Sequence, residues 1–170
     1  MAAGATYEPI ATQTLASATS SITFSSIAAT YTDLRLVVVT KASTNTQLSL
    51  LINGDTTATY SYTQMDGQGT GAYSHAYTAQ SSINTMPYNG SLSTTIPAYI
   101  AYDLFSYANS TYKTGLWSVN TNFAGGSGSS VNRGVTLWRN TAAVTSLTVT
   151  VTPATMSIGA IATLYGIKAA

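Results

Sequence analysis

The chain contains no cysteine, one histidine, six Lys or Arg and five Asp or Glu in 170 residues. The missing thiols exclude a disulfide scaffold, a thiol nucleophile and thiolate-bound metal, so stability has to come from packing. Charged residues make up 6% of the chain, against about 25% in an average soluble protein. Most of the surface is therefore neutral. The basic residues Arg35, Lys41, Lys113, Arg133, Arg139 and Lys168 are scattered, and no basic stripe exists to neutralise a row of phosphates, so nucleic acid is not an expected partner. No run of about 18 apolar residues is present, so no membrane-spanning helix is expected and no membrane partner is assigned. The opening "MAAGATYEPIATQ" has neither the basic nor the apolar region of a signal peptide, and the reading is a soluble protein made in a cytoplasm.

Catalytic chemistry is equally short of material. Glu8, Asp33, Asp55, Asp66 and Asp103 show no spacing that pairs two carboxylates, as glycoside hydrolysis would need. His75 follows Ser74, but a triad is recognised by geometry and sequence neighbours carry no weight; the reading is a loop histidine. "GGSGS" departs from the nucleophile elbow at Ser129, "GQGTGA" departs from the dinucleotide fingerprint at Ala72, and no phosphate-binding lysine motif occurs. "DGQGTG" leaves Asp66 without the alternate acidic ligands of a calcium loop. No catalytic residue, cofactor or metal site is assigned. Asn89 and Asn109 stand in glycosylation sequons, which matter only in a secreted eukaryotic protein.

What is abundant is Thr, with 30 residues, and Ser, with 21. With Asn, Gln and Gly they replace Lys and Glu as water-facing residues, giving a surface that is polar without being repulsive. Net charge near zero favours association. Contacts made this way are insensitive to salt.

The length suits one domain that buries about two-thirds of its unfolded surface. Helical periodicity is nearly absent. Short alternating segments rich in Val, Ile, Thr and Tyr recur between Gly, Asn, Ser and Pro, which predicts an all-β sandwich or barrel. Strands are expected at 10–16, 20–25, 33–41, 46–52, 56–63, 73–80, 95–105, 112–121, 131–139, 144–152 and 160–167. In "DLRLVVVTK" the inward set is Leu34, Leu36 and Val38, with Arg35, Val37, Val39 and Lys41 opposite. Leu48, Leu50 and Ile52 repeat the pattern, and Asn53-Gly54 then signals a hairpin. In "SLTVTVTP", Leu147, Val149 and Val151 face in, Thr148, Thr150 and Thr152 face out, and Pro153 ends the strand. Residues 65–75 and 122–132 read as glycine-rich loops where partner contacts are made.

Twelve tyrosines are present, and Tyr60, Tyr62, Tyr73, Tyr77 and Tyr88 crowd the middle of the chain. Among Ser, Thr, Gly and Asn they suit a contact surface, because Tyr offers a rigid area with a polar tip. Tyr60 and Tyr62 equally suit one filled strand face, and Trp117 and Trp138 suit the core.

Four blocks, "TYEPIATQTLASATSSITFSSIAATYTDLRLVV", "INGDTTATYS", "VTLWRNTAAVTSLTV" and "ATLYGIKAA", together resemble a group of small structural proteins of tailed bacteriophages, especially those of cyanobacteria and other aquatic bacteria. They cover both ends and part of the middle. The resemblance implies a single-domain antiparallel β-sandwich, jelly-roll-like, built into the virion as a capsid decoration (cement) protein, a head fibre or part of a tail fibre. It implies assembly in a host cytoplasm, the major capsid protein or other virion proteins as partners, and a homo-oligomer, a trimer above all. The alternative is a tail-fibre or receptor-binding module that binds carbohydrate. The expected organisation is an N-terminal arm, residues 1–9, followed by a β-sandwich domain, residues 10–170. Residues 1–8 are expected to lie against another subunit or the shell beneath. The candidate interface residues are Met1, Tyr7, Glu8, Tyr73, His75, Tyr77 and Tyr88. The neutral final strand "IATLYGIK" is expected inside a sheet, because a free neutral edge invites uncontrolled pairing.

Overall fold

Alternation of apolar and polar side chains gives nearly every segment two faces, and the chain resolves this by stacking two sheets. The computed structural model describes residues 6–68, 71–86, 91–121 and 129–168. Over these residues the protein is all-β. Its strands are β1 (Tyr7–Thr14), β2 (Ser21–Phe24), β3 (Asp33–Thr40), β4 (Leu48–Ile52), β5 (Tyr60–Gln68), β6 (Gly71–Gln80), β7 (Ile83–Asn84), β8 (Ala98–Phe105), β9 (Lys113–Thr121), β10 (Ser130–Trp138), β11 (Leu147–Val151) and β12 (Ile161–Ile167). An eight-stranded sheet runs β1-β12-β3-β8-β9-β10-β5-β6, and a four-stranded sheet runs β2-β11-β4-β7. All pairings are antiparallel, and the sheets form a sandwich-like arrangement.

The core lies between them. Leu34, Leu36 and Val38 of β3, Ile100 and Leu104 of β8 and Leu164 of β12 meet Ile22, Phe24, Leu48, Leu50, Ile52, Leu147, Val149 and Val151 of the small sheet. The expected faces of β3, β4 and β11 are those observed. Trp117 and Trp138 are core residues, as are Tyr60 and Tyr62. The final strand lies between β1 and β3 and is not an edge.

Close packing within the large sheet depends on two glycines. Trp117 on β9 stands opposite Gly134 on β10, and Tyr102 on β8 reaches across Gly115 on β9 to Thr136, with the two hydroxyls 2.9 Å apart. A Cβ at either glycine would enter the aromatic ring lying over it. The bare backbone therefore makes room for a ring from the next strand.

Four expectations are corrected. Residues 65–75 are mostly not a loop: β5 runs to Gln68 and β6 starts at Gly71, paired in register Met65 to Ser74, Asp66 to Tyr73 and Gly67 to Ala72. The ladder extends through the glycines because β10 supports β5 on its other side, and His75 is a strand residue. Asn53-Gly54 does turn, with φ of 52° and 65°, but it makes no hairpin. β4 and β5 belong to different sheets. The Asn53 side chain donates to Ala143 O (2.8 Å) and accepts from the amides of Thr145 (2.8 Å) and Ser146 (3.1 Å), tying the turn to the segment before β11. Of the expected arm, residues 1–5 fall outside the described residues, while Tyr7, Glu8 and Pro9 belong to β1, with Tyr7 opposite Ile167. Pairing with β12 draws them into the sheet, and β1 tolerates Pro9 because it is an edge strand with a register shift between Pro9 and Ala11. Of the second expected loop, 122–128 lies outside the described residues and β10 begins at Ser130.

Candidate functional site

The outer faces of the two sheets differ in kind. On the small sheet Ser21, Thr23, Ser49, Thr148 and Thr150 point away from the core together with the half-buried Leu51, and the Thr23 and Thr148 hydroxyls lie 3.0 Å apart. Every one of these but Leu51 carries a hydroxyl that water can solvate. On the large sheet the outward positions include Val39, Met65, Tyr99, Leu116, Val131 and Val135. Met65 is 66% exposed, Val131 55%, Val135 52% and Leu116 45%.

Strand β10 shows the arrangement most sharply, because its polarity is inverted. Ser130, Asn132 and Thr136 face inward and are buried, while Val131 and Val135 face outward. A slip of one residue would exchange the two sets, yet the register is fixed on both sides by β9 and β5. Register then aligns Leu116 with Val135 across β9 and β10, and Arg133 with Met65 across β10 and β5. The result is a shallow apolar surface with an open hollow of about 470 Å³ bounded by Thr63, Ala76, Leu116, Val135 and Leu137.

Few charges interrupt it. Arg35 and Asp103 are cross-strand partners on this face, Nη1 to Oδ1 3.3 Å. Burial pushes the Asp103 carboxyl above the ordinary aspartate value, the Arg35 guanidinium pulls it down, and Asp33 adds to the rise. Asp33 Oδ1 accepts from the Ser106 amide at 2.8 Å, which fixes the start of the turn after β8. Pairing leaves Arg133 as the exposed cation among Leu116, Met65 and Val135.

The structure separates the candidate interface residues named from the sequence. Tyr7 and Glu8 lie on edge strand β1, Tyr73, His75 and Tyr77 on β6 at the opposite edge, and Met1 and Tyr88 fall outside the described residues. Tyr7 is exposed and meets Tyr165 edge-on at 6.4 Å. Glu8 Oε1 accepts from Lys168 Nζ at 2.7 Å, so its charge is spent within the chain. On β6 the rings of Tyr73, His75 and Tyr77 form a ladder with 6.4 Å between successive centroids. Tyr77 packs on Tyr62 at 5.0 Å, and Tyr73 is the exposed rung.

Sequence reasoning missed the outward apolar residues of β9, β10 and β5. The available signal was the inverted alternation in "SVNRGVTLW", where every second residue is Val, Arg, Val or Leu and the residues between are mostly small or polar. Among the described residues no group of three or more His, Asp or Glu comes together, and no helix is long and apolar enough to cross a membrane. No protein family, curated protein or solved structure matches this chain.

Proposed function

We propose that this chain is a virion structural protein of a tailed phage, a decoration (cement) protein that binds the assembled head and stabilises it. The observation that carries the reading is the contrast between the hydroxyl-clad outer face of the small sheet and the apolar outer face of the large one. A chain with abundant Thr and Ser could have covered both faces alike, and an exposed apolar sheet face marks a contact surface. Copies turn this face toward neighbouring chains in a homotrimer, and the trimer clamps major capsid subunits. Binding the assembled shell and not its free parts stabilises the shell by mass action. Contacts with so little charge hold as salinity changes. The resemblance at both ends of the chain supports the same role, which needs neither cofactor nor catalysis.

The test is addition of the purified protein to expanded, tailless heads that lack it. Co-sedimentation with heads, and density on the shell in electron micrographs, is the expected result. Density on the tail alone contradicts it. One observation favours the second reading, a carbohydrate-binding tail module: the Tyr73–His75–Tyr77 ladder at an open edge suits stacking on a sugar ring. Binding on a glycan array that disappears in Tyr73→Ala selects that reading.

A further inference from the structure

Strands β10, β5 and β6 form one end of the large sheet. This end of the interior is polar. Gln64, Asp66 and Asn132 are all at least 98% buried there. Gln64 and Asp66 sit two apart on the inward side of β5, and Asn132 on β10 is the direct cross-strand partner of Asp66.

Their hydrogen bonding leaves an excess of acceptors. Gln64 Nε2 donates to Asp66 Oδ1 at 3.2 Å, and Asn132 Nδ2 donates to Ser130 Oγ at 2.9 Å. With their donor ends occupied, Gln64 Oε1, Asn132 Oδ1 and Asp66 Oδ2 have no hydrogen-bond partner among the described residues. Three buried oxygens with nothing to accept are costly, and the buried Asp66 carboxylate has the His75 imidazole, 3.8 Å away, as its nearest group able to carry positive charge.

The chain's own cations are employed elsewhere. Arg35 pairs with Asp103 and Lys168 with Glu8. Arg139 binds Ser61 and the Ala58 carbonyl, Lys113 binds backbone carbonyls, Arg133 faces the opposite side of the sheet, and Lys41 follows β3 outside any strand. His75 Nε2 lies 3.8 Å from Asp66 Oδ1, on the oxygen that Gln64 already serves.

We propose that Asp66, Gln64 and Asn132 form a binding site for a hard, oxygen-seeking metal cation, calcium being the species that fits. Water could donate hydrogens to the three oxygens but would bring no charge to the carboxylate, whereas a cation answers both needs. One carboxylate with two amide carbonyls, and no thiolate, selects a hard ion. Calcium accepts such neutral oxygens in irregular geometry, while magnesium requires a near-ideal octahedron and keeps its waters. A count of acidic residues overlooks this site because two of its three ligands are amides. A single carboxylate places the dissociation constant in about the 0.1–1 mM range.

The experiment is thermal unfolding of the full chain after EDTA treatment, titrated with CaCl2, MgCl2 and NaCl at matched ionic strength. Calcium at about 10 mM is expected to raise Tm by about 3–8 °C, more than magnesium does, with sodium inert. Asp66→Asn loses that increment whatever its own Tm, and Glu8→Gln keeps it. Asn132→Asp, which adds a second carboxylate, lowers the half-saturating calcium about tenfold. Terbium luminescence gives a second readout, since Tyr73 is the cross-strand neighbour of Asp66 and can sensitise the ion; the signal disappears in Asp66→Asn. A Tm that no calcium concentration moves, or a shift that Asp66→Asn retains, overturns the site. A larger shift with magnesium or sodium overturns the choice of calcium.

Discussion

The indole Nε1 of Trp138 donates to Oδ2 of Asp55 at 2.8 Å, joining the end of β10 to the turn between β4 and β5. Thr59 Oγ1 donates to the same oxygen at 2.7 Å, and the Thr57 amide donates to Oδ1 at 2.9 Å. Partial desolvation works against this carboxylate, but the bonds from Thr57, Trp138 and Thr59 prevail and hold its pKa at about 2, below the ordinary 3.8. A depressed folded pKa stabilises the fold fully above the unfolded value, and the stabilisation is lost as pH falls toward 2. With allowance for solvent screening it amounts to about 1–2 kcal/mol. Asp55→Asn should therefore lose less stability than the parent chain between pH 5 and pH 2, measured by urea unfolding with Trp fluorescence. Equal losses would show that the bonds do not favour the charged form.

Gly134→Ala should destabilise by about 1–3 kcal/mol, because the new methyl group would overlap the Trp117 ring. Gly67 is the control on the neighbouring strand: it faces outward with nothing within 4 Å of an added Cβ, so Gly67→Ala should stay within about 0.5 kcal/mol of the parent. Thermal denaturation of the two variants decides the matter. Similar losses at both sites would mean that the ring contact does not matter.

Lys113 is fully buried, and its ammonium donates to the carbonyls of Thr111 and, at 2.6 Å, Asn109. Burial pulls its pKa below the ordinary lysine value. The side chain ties the turn before β9 to its own strand, so Lys113→Met should cost about 1–3 kcal/mol by leaving carbonyls without a donor. Faster amide exchange confined to residues 106–112 would accompany it. A variant as stable as the parent would assign the lysine no structural role.

Strand positions were legible because local alternation and burial agree: in β3, β4 and β11 the aliphatic residues face the core and little else competes. Legibility failed where pairing is set by distant partners. Asn53-Gly54 carries a strong turn signal, but the side-chain bonds of Asn53 to Ala143, Thr145 and Ser146 send the chain to the other sheet, and no local pattern encodes those partners. Residues 65–75 look like a loop by glycine content, yet β5 continues to Gln68 with β10 paired along it as far as Gly67. The contact surface was missed for a related reason. In β10 the valines Val131 and Val135 face outward because Ser130 and Asn132 take the inward side. Of the tyrosines named as candidates, Tyr73 and Tyr77 do meet, through His75, while Tyr7 lies at the far edge.

Adhesion through the outer face of the large sheet is what gives this molecule its proposed role, and sedimentation velocity tests it directly. Wild-type chain at about 0.1 mM should sediment as an assembly, little changed between about 0.05 and 0.5 M salt. Leu116→Lys, a charge placed at the centre of the exposed apolar surface, should sediment as a folded monomer with the parent's circular-dichroism spectrum and a Tm lower only by the lost association. Thr148→Lys on the hydroxyl-clad face should assemble normally. A wild-type chain that stays monomeric, or a Leu116→Lys variant that still assembles, would contradict the account.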